Sequence, residues 1–524
     1  MSKTRVKVGS LGSSAGIVAI MATIPLLFVI YNSSQLPAAK WASLWSNRLP
    51  ELLGNTLSLA LLVGVICLAL AIPSAYLVAR REFAGRKVAI WLLILPLAIP
   101  TYVFAHIYTV LLEPDALLGS LWQLIAGEGA RINIYNLGGA AVMLSLAAFS
   151  YVFLLGYTSL ADARQSLEDA ARIHGASRWQ SFHRITLPLM RPALAAGLAV
   201  VVLHTLSDFG AVSMLRYQTF TLSIYLQMNS RFDYQSAAGL SLMLVALSLS
   251  FLILERFFRR RQRYYAGAQT NYVKRRQASG RETLIIWSWL GLIALFAFII
   301  PVGWMIVWSA EAVAADLINA QFWGYAFNTG LISFLAACVA VVVALPIGLF
   351  HNRARSWLSN SYIQLSSVGF VLPGPVIALG IITFVIAVLP DLYGGLVALV
   401  MALVIRFLPL AIQSQEAALQ QLTPSVEQAG RIHGAGPLEN LRRVTLPMIR
   451  NGMVTAWVLV FIDALKELPA TLMLRPVGFD TLPIRIWIEA SEEMLELAAP
   501  AALVLVIATL PALWIMMRSQ DLRK

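Results

Sequence analysis

LEDAARIHGASRWQSFHRITLPLMRP, from Leu167 to Pro192, is written again 259 positions later as VEQAGRIHGAGPLENLRRVTLPMIRN, from Val426 to Asn451. Both copies are polar and carry arginines, yet the surrounding chain is not: 59% of its 524 residues are hydrophobic and 12% are charged, with a mean hydropathy of +0.74. A soluble domain is nearer half apolar and a quarter charged. A hydrophilic loop written twice into a membrane-like chain points to two copies of one unit, each presenting the same element outside the bilayer.

Working outward, stretches of about 20 apolar residues, enough to cross a hydrocarbon core, recur along the whole length. Twelve spans are expected, near 13–31, 52–79, 88–111, 138–158, 192–214, 236–254, 284–309, 327–350, 362–388, 394–413, 452–474 and 498–517. Pro73, Pro96, Pro100, Pro346, Pro373 and Pro375 fall inside them. Membrane helices tolerate such prolines because neighbours re-satisfy the freed backbone groups, and Pro96/Pro100 and Pro373/Pro375 are expected to kink spans three and nine. The first span follows Lys3, Arg5 and Lys7, as a secretory signal would. It exceeds the usual apolar region of a signal and eleven spans follow, so it is read as a retained helix. Cys67 and Cys338 lie within spans, where a small apolar role is expected rather than a disulfide.

Positive charge orients the chain. With the amino terminus inside, segments 1–12, 80–87, 159–191, 256–281, 351–361, 414–450 and 518–524 hold 30 of the 39 lysines and arginines. The opposite segments hold 7, and Arg406 and Lys466 fall within spans. The positive-inside rule therefore predicts both termini in the cytoplasm. The net charge of +13 is spread over one side of a membrane, which suits a lipid bilayer and no nucleic acid. The densest run, ERFFRRRQRYY from Glu255 followed by VKRRQ from Val273, reads as a linker between halves.

The duplication extends past the loops. LSDFGAVSMLRYQTFTLSIY (Leu206–Tyr225) matches LKELPATLMLRPVGFDTLPIR (Leu465–Arg485), and NTLSLALLVGV at Asn55 has a weaker counterpart in NTGLISFLAAC at Asn328. Six spans per half in the same orientation make a parallel repeat about an axis along the membrane normal. The expected fold is thus all-α: a polytopic membrane protein of about 12 transmembrane helices in two pseudo-twofold-related halves. Residues 1–255 form the first half, with its loop at 162–190. Residues 256–283 form the linker, and residues 284–524 the second half, with its loop at 421–449.

Each loop is too polar for lipid. In the first, residues 162–174 are expected to form a short helix, Gly175 to turn the chain, residues 177–184 to form a second amphipathic helix, and Pro188 or Pro192 to open the next span. Two stubby helices at fixed distance from a membrane helix make a docking element. The pattern resembles the permease subunits of binding-protein-dependent ABC importers, whose hallmark is Glu-Ala-Ala, three residues, Gly, nine residues, Ile-x-Leu-Pro. The first copy reads Asp169-Ala170-Ala171, Gly175 and Ile185-Thr186-Leu187-Pro188, with Glu168 one place earlier. The second reads Gln428-Ala429-Gly430, Gly434 and Val444-Thr445-Leu446-Pro447, with Glu427 one place earlier. The resemblance implies that these residues are coupling helices seated in grooves of separate ATP-binding subunits, two docking loops suggesting two copies. Arg172/Arg431 and His174/His433 also recur, and one histidine per loop is poor spacing for a metal.

No G-x-x-x-x-G-K-[ST] phosphate cradle, nucleophile elbow or zinc-protease motif occurs, and no soluble stretch is long enough for an ATPase domain. No catalysis and no cofactor are expected in this chain; ATP and magnesium would belong to the partner. Asp208 and Glu467 occupy equivalent places in spans five and eleven, with Asp463 one turn before Glu467. Acids within a membrane are costly and are candidates for a translocation path, although Lys466 could neutralise one of them. Arg406 is read as snorkelling to the headgroups.

The fused halves and the two matched stretches beyond the loops look most like the ferric iron permeases of importers served by a periplasmic binding protein. Fused thiamine permeases share the layout. Hard cations prefer oxygen ligands, so paired acids would suit ferric ion. An ion-gradient transporter would explain the acids but not the loops, and a non-transporting scaffold would explain the loops but not the acids.

Overall fold

The computed structural model describes residues 9–162, 166–260, 275–354, 356–420, 422, 426, 428, 430, 432, 434–492 and 494–521. Among the described residues, the regular structure is helical but for one pair of two-residue strands. Among the described residues, ten helices are long and apolar enough to cross a membrane, and two further pairs qualify as single spans broken in the middle.

The first half opens with α1 (Ser10–Ser34) and a short α2 (Ala38–Asn47), then α3 (Leu49–Arg80). α4 (Arg86–Ile94) and α5 (Thr101–Leu111) form the first broken span, followed by α6 (Leu117–Ala126) and α7 (Leu137–Asp162). The loop supplies α8 (Ser166–Ile173) and α9 (Arg178–Ser181). α10 (Leu187–Ser207), the short α11 (Gly210–Met214) and α12 (Phe220–Asn229), and α13 (Tyr234–Arg260) close the half.

The second half repeats the order. α14 (Gly280–Ala294) runs through a π turn into α15 (Ile300–Ala314), and α16 (Ala320–Ala354) follows. α17 (Trp357–Ser366) and α18 (Gly374–Val388) form the second broken span, and α19 (Leu396–Leu419) leads to the second loop. Then come α20 (Pro437–Asn440), α21 (Leu446–Leu465), α22 (Pro469–Leu474), α23 (Leu482–Ser491) and α24 (Leu495–Asp521).

The prolines of spans three and nine do more than kink them. The axes turn by 97° between Arg86–Ala98 and Thr101–Leu111, and by 107° between Trp357–Phe370 and Gly374–Val388. Pro100 and Pro373 each stand in extended backbone immediately before the second limb, where a missing N–H costs nothing because first-turn donors have no helical partner. Spans five and eleven, expected as continuous over 192–214 and 452–474, also break: α10 stops at Ser207 and α21 at Leu465. Asp208 and Glu467 occupy the gaps, because each carboxylate satisfies the first donors of the next short helix.

The halves exchange their first helices. α1 packs on α16, α17 and α18 of the second half as well as on α13, while α14 packs on α3 and α4 and α15 on α5 of the first. Small residues let α1 approach closely: a Cβ on Gly380 would lie 2.4 Å from the Pro25 carbonyl oxygen. The two large buried cores among the described residues each draw from both halves.

Arg80 donates to the Leu160 carbonyl (2.9 Å), so α3 and α7 end on one face. That face also carries the docking loops, and we call it the loop face. There the linker's far end is tied down. Arg276–Gln277 pairs in parallel with Arg81–Glu82, Glu282 faces Arg81 at 3.7 Å and Arg276 at 3.5 Å, and Trp287 Nε1 donates to Ala84 O at 2.9 Å. The linker is shorter than expected, since α13 continues to Arg260 and α14 starts at Gly280, capped by Ser279 and Glu282. Cys67 and Cys338 are free thiols.

Candidate functional site

Each docking element is built round its glycine. After α8 the chain closes with Ala176 N–H donating to Ala171 O (3.0 Å) and Gly175 N–H to Arg172 O (3.1 Å), while Gly175 takes φ +89°. This is the Schellman ending, which needs a left-handed residue and therefore glycine. In the second half Gly434 has φ +85°, and Ala435 N–H donates to Gly430 O at 3.1 Å. Gly430 replaces the alanine of the first copy for a steric reason: a Cβ there would lie 2.4 Å from Asn440 Oδ1. Glu427 and Ala429 lie outside the described residues, while Gln428 is exposed.

Beyond the turn, α9 and α20 do not stop at a proline. Each passes through a π turn, Phe182–Thr186 or Leu441–Thr445, closed by Leu187 N–H on Phe182 O and Leu446 N–H on Leu441 O, and runs on as α10 or α21. Pro188 stands in the first turn of α10, as expected of a residue that opens the next span, but the chain reaches it without leaving the helix. The wider turn accommodates Pro188 and Pro447 without a break, so the second docking helix and the membrane helix are one rod.

Four residues at this surface escaped the sequence reading. Ile173 and Ile432 are each 83% exposed, and Trp179 and Leu438 are 70% and 77% exposed. They are the same two positions at the 259-residue offset, one on each side of the glycine. Their signal was available as apolar residues recurring in a polar loop. Each loop thus presents an exposed apolar pair among polar residues.

The first element is also anchored from behind. Arg80 Nε and Nη2 donate to Glu168 Oε1 at 3.0 and 2.7 Å, in a pair almost lost from solvent. Asp169 lies in the same helix, α8, as do Ala170 and Ala171. Thus Glu168, the acid one place before the recognised motif, ties the docking helix to the end of α3.

The acids of spans five and eleven are brought to the broken spans. Asp208 Oδ1 accepts the N–H groups of Ala211 (3.0 Å) and Val212 (3.3 Å), and Oδ2 accepts Thr101 Oγ1 (2.5 Å) just beyond Pro100. Glu467 repeats this: Oε1 accepts Ala470 N–H (3.2 Å) and Oε2 faces Arg406 Nε (3.0 Å). Arg406 therefore does not snorkel; it is held inside by Glu467. Lys466 pairs with Asp463 (3.8 Å) rather than with Glu467, and it donates across the halves to Leu97 O in the first broken span (3.1 Å). Trp487 Nε1 crosses likewise to Ser213 Oγ (3.1 Å). The four breaks thus converge where the halves meet.

One turn before Asp208 and Glu467 stand His204 and Asp463, again 259 apart. His204 is exposed and the Asp463 side chain is 39% exposed, although both lie near the ends of long interior helices. His204 is within electrostatic range of Lys466 and Arg406 of the other half, its ring lies 6.1 Å from that of Tyr151, and Asp463 is within range of Tyr151. They therefore line a cleft between the halves. Nearby, the buried Tyr102 hydroxyl has no hydrogen-bond partner among the described residues. No group of three or more metal-ligating His, Cys, Asp or Glu side chains occurs among the described residues.

The family model for the binding-protein-dependent transport system inner membrane component matches residues 68–264 and again 340–522. The Fe(3+)-transport system permease protein FbpB 2 of Haemophilus influenzae is 30% identical over 92% of this chain and 93% of its own length. The ferric transport system permease protein FbpB of Actinobacillus pleuropneumoniae is 24% identical over 81% of this chain and 64% of its own. The sulfate transport system permease protein CysT of Escherichia coli is 28% identical over 46% of this chain and 88% of its own, which is the span of one half. With the docking loop, the broken span and the capping acid each present twice, this multi-pass membrane protein belongs to the family of binding-protein-dependent transport system inner membrane components.

Proposed function

We propose that this chain is the membrane-spanning permease of an ATP-driven importer that moves ferric iron, delivered by a periplasmic binding protein, across a bacterial inner membrane. The loop face and both termini are cytoplasmic, in keeping with the positive charge concentrated there. Two ATP-binding subunits dock, one at Ile173 and Trp179 and one at Ile432 and Leu438. ATP and magnesium belong to those subunits, and no hydrolysis occurs on this chain.

The observation that carries the reading is the matched pair of docking elements, each continuous with a helix that ends at the cleft. A rigid rod transmits displacement because packed helices have low compressibility. Movement of α9 and α20 by the closing ATPases would therefore reach the breaks at Asp208 and Glu467 and alter the cleft beside His204 and Asp463. The substrate follows from the likeness to ferric permeases along nearly the whole chain. It also agrees with hard-donor chemistry in the cleft, where Asp463 and Tyr151 offer oxygens to a ferric ion. Asp208 and Glu467 serve chiefly as caps that fix the breaks.

The test is uptake of radioactive ferric iron into proteoliposomes holding the permease, its ATPase and its binding protein, with thiamine in parallel. ATP-dependent iron accumulation is expected. Thiamine uptake without iron uptake would overturn the substrate, and uptake driven by an ion gradient without ATPase would overturn the importer.

A further inference from the structure

The two docking sides differ beneath the loops. In the first half Arg86 is nearly buried, with Nε donating to Val78 O at 2.8 Å and Nη2 to Tyr157 Oη at 3.2 Å. The offset that aligns Asn55 with Asn328 and Pro100 with Pro373 is 273, and after the broken spans it becomes 259. By these offsets Ser359 stands where Arg86 does, His351 where Val78 does, and Glu416 where Tyr157 does. Among the described residues the second half thus has a serine where the first has the guanidinium, and a carboxylate where the first has a phenol.

The space is an open cavity of about 490 Å³ lined by His351, Asn352, Asn360, Glu416 and Gln420. It lies on the loop face, where α16 and α19 end and α17 begins, and Asn352 Nδ2 closes its rim on Leu419 O at 3.3 Å. Glu416 accepts a long bond from Gln420 Nε2 (3.4 Å) and faces His351 Nε2 at 3.5 Å, and the buried His351 Nδ1 has no hydrogen-bond partner among the described residues. A carboxylate among amide oxygens suits a planar five-donor fork better than a compact ammonium.

We propose that this cavity receives a basic side chain, an arginine by its geometry, from the ATP-binding subunit docked on the second half. The partner there supplies the guanidinium that the first half supplies for itself. The inference rests on the docking reading above, and it makes the two ATPase contacts chemically unequal although the loops match.

The experiment measures the affinity of the ATP-binding subunit for the full-length permease in detergent. Glu416→Gln is expected to weaken binding about tenfold and Glu416→Lys further, as loss of one partner of an interfacial charge pair does. As a second readout, Glu416→Cys should react with a methanethiosulfonate reagent in the free permease and be protected in the complex. Unchanged affinity for folded Glu416→Lys, or equal labelling in both states, overturns the inference while leaving the docking reading intact. A wild-type permease that binds no ATPase overturns both.

Discussion

Arg80 and Glu168 meet through two hydrogen bonds to a single carboxylate oxygen, at 3.0 and 2.7 Å, joining the end of a membrane helix to the first docking helix. Nearly all of both side chains is shielded from water. Removing one partner of such a pair leaves a buried charge, at a cost of about 3–5 kcal/mol.

Arg80→Ala should therefore lower the melting temperature and loosen α8, so that ATP hydrolysis persists in the complex while uptake falls at least tenfold. Thermal unfolding and hydrolysis-to-uptake ratios check this. Full coupling in the variant would show that the pair carries no mechanical load.

At the docking tips, Trp179→Ala and Leu438→Ala should each weaken ATPase binding, the tryptophan by about 2 kcal/mol, a factor of roughly 30, if it behaves as a buried aromatic anchor. Ile173→Glu and Ile432→Glu should act in the same direction. All four side chains are solvent-exposed in this chain alone, so permease stability should not change; titration with the purified ATPase measures the effect.

Within the cleft, Asp463→Asn and His204→Ala should reduce iron uptake and leave ATPase affinity as it was. Asp208→Asn should instead destabilise the fold, because it weakens acceptance from two backbone N–H groups and from Thr101. Parallel uptake and melting curves separate the two kinds of loss.

Gly380→Val should destabilise by about 1–3 kcal/mol through overpacking, since any Cβ there meets the Pro25 carbonyl. Unfolding in detergent tests it. A neutral result would mean that α1 can move off α18 at little cost.

On the opposite face, burial raises the Asp233 pKa but hydrogen bonds from Lys40 (2.8 Å) and Ser236 outweigh it, leaving the carboxyl below its ordinary 3.8. A depressed folded-state pKa contributes stability that is complete above the unfolded value and is lost as pH falls through the folded one. The pair is partly exposed, so less than about 1 kcal/mol is at stake. Asp233→Asn should remove that acid-side dependence, measured as melting temperature between pH 6 and pH 3.

The spans and the two repeated loops were legible in the sequence because hydropathy and repetition are local signals. The breaks at Asp208 and Glu467 were not, since apolar residues resume on both sides of each acid and its capping of the next helix shows only in the fold. Lys466 stands beside Glu467 in sequence, yet the helix end turns it toward Asp463 and Leu97, leaving Glu467 to an arginine from α19. Glu168 was noted as a neighbour of the motif, but its partner lies 88 positions away. Ile173 and Ile432 were hidden in plain view, because apolar residues are conspicuous only where their surroundings are known to be wet.

The exchange of first helices also sets an order of assembly. α1 is made well before its neighbour α18, because Gly374, which opens α18, is 340 positions after Ser34. At cellular elongation rates of roughly 5–20 residues per second, α1 stands without that neighbour for tens of seconds. The first half accordingly cannot reach its final packing on its own, and the nascent chain must hold a helix packed on α13 but open on its other side until its late half arrives to enclose it.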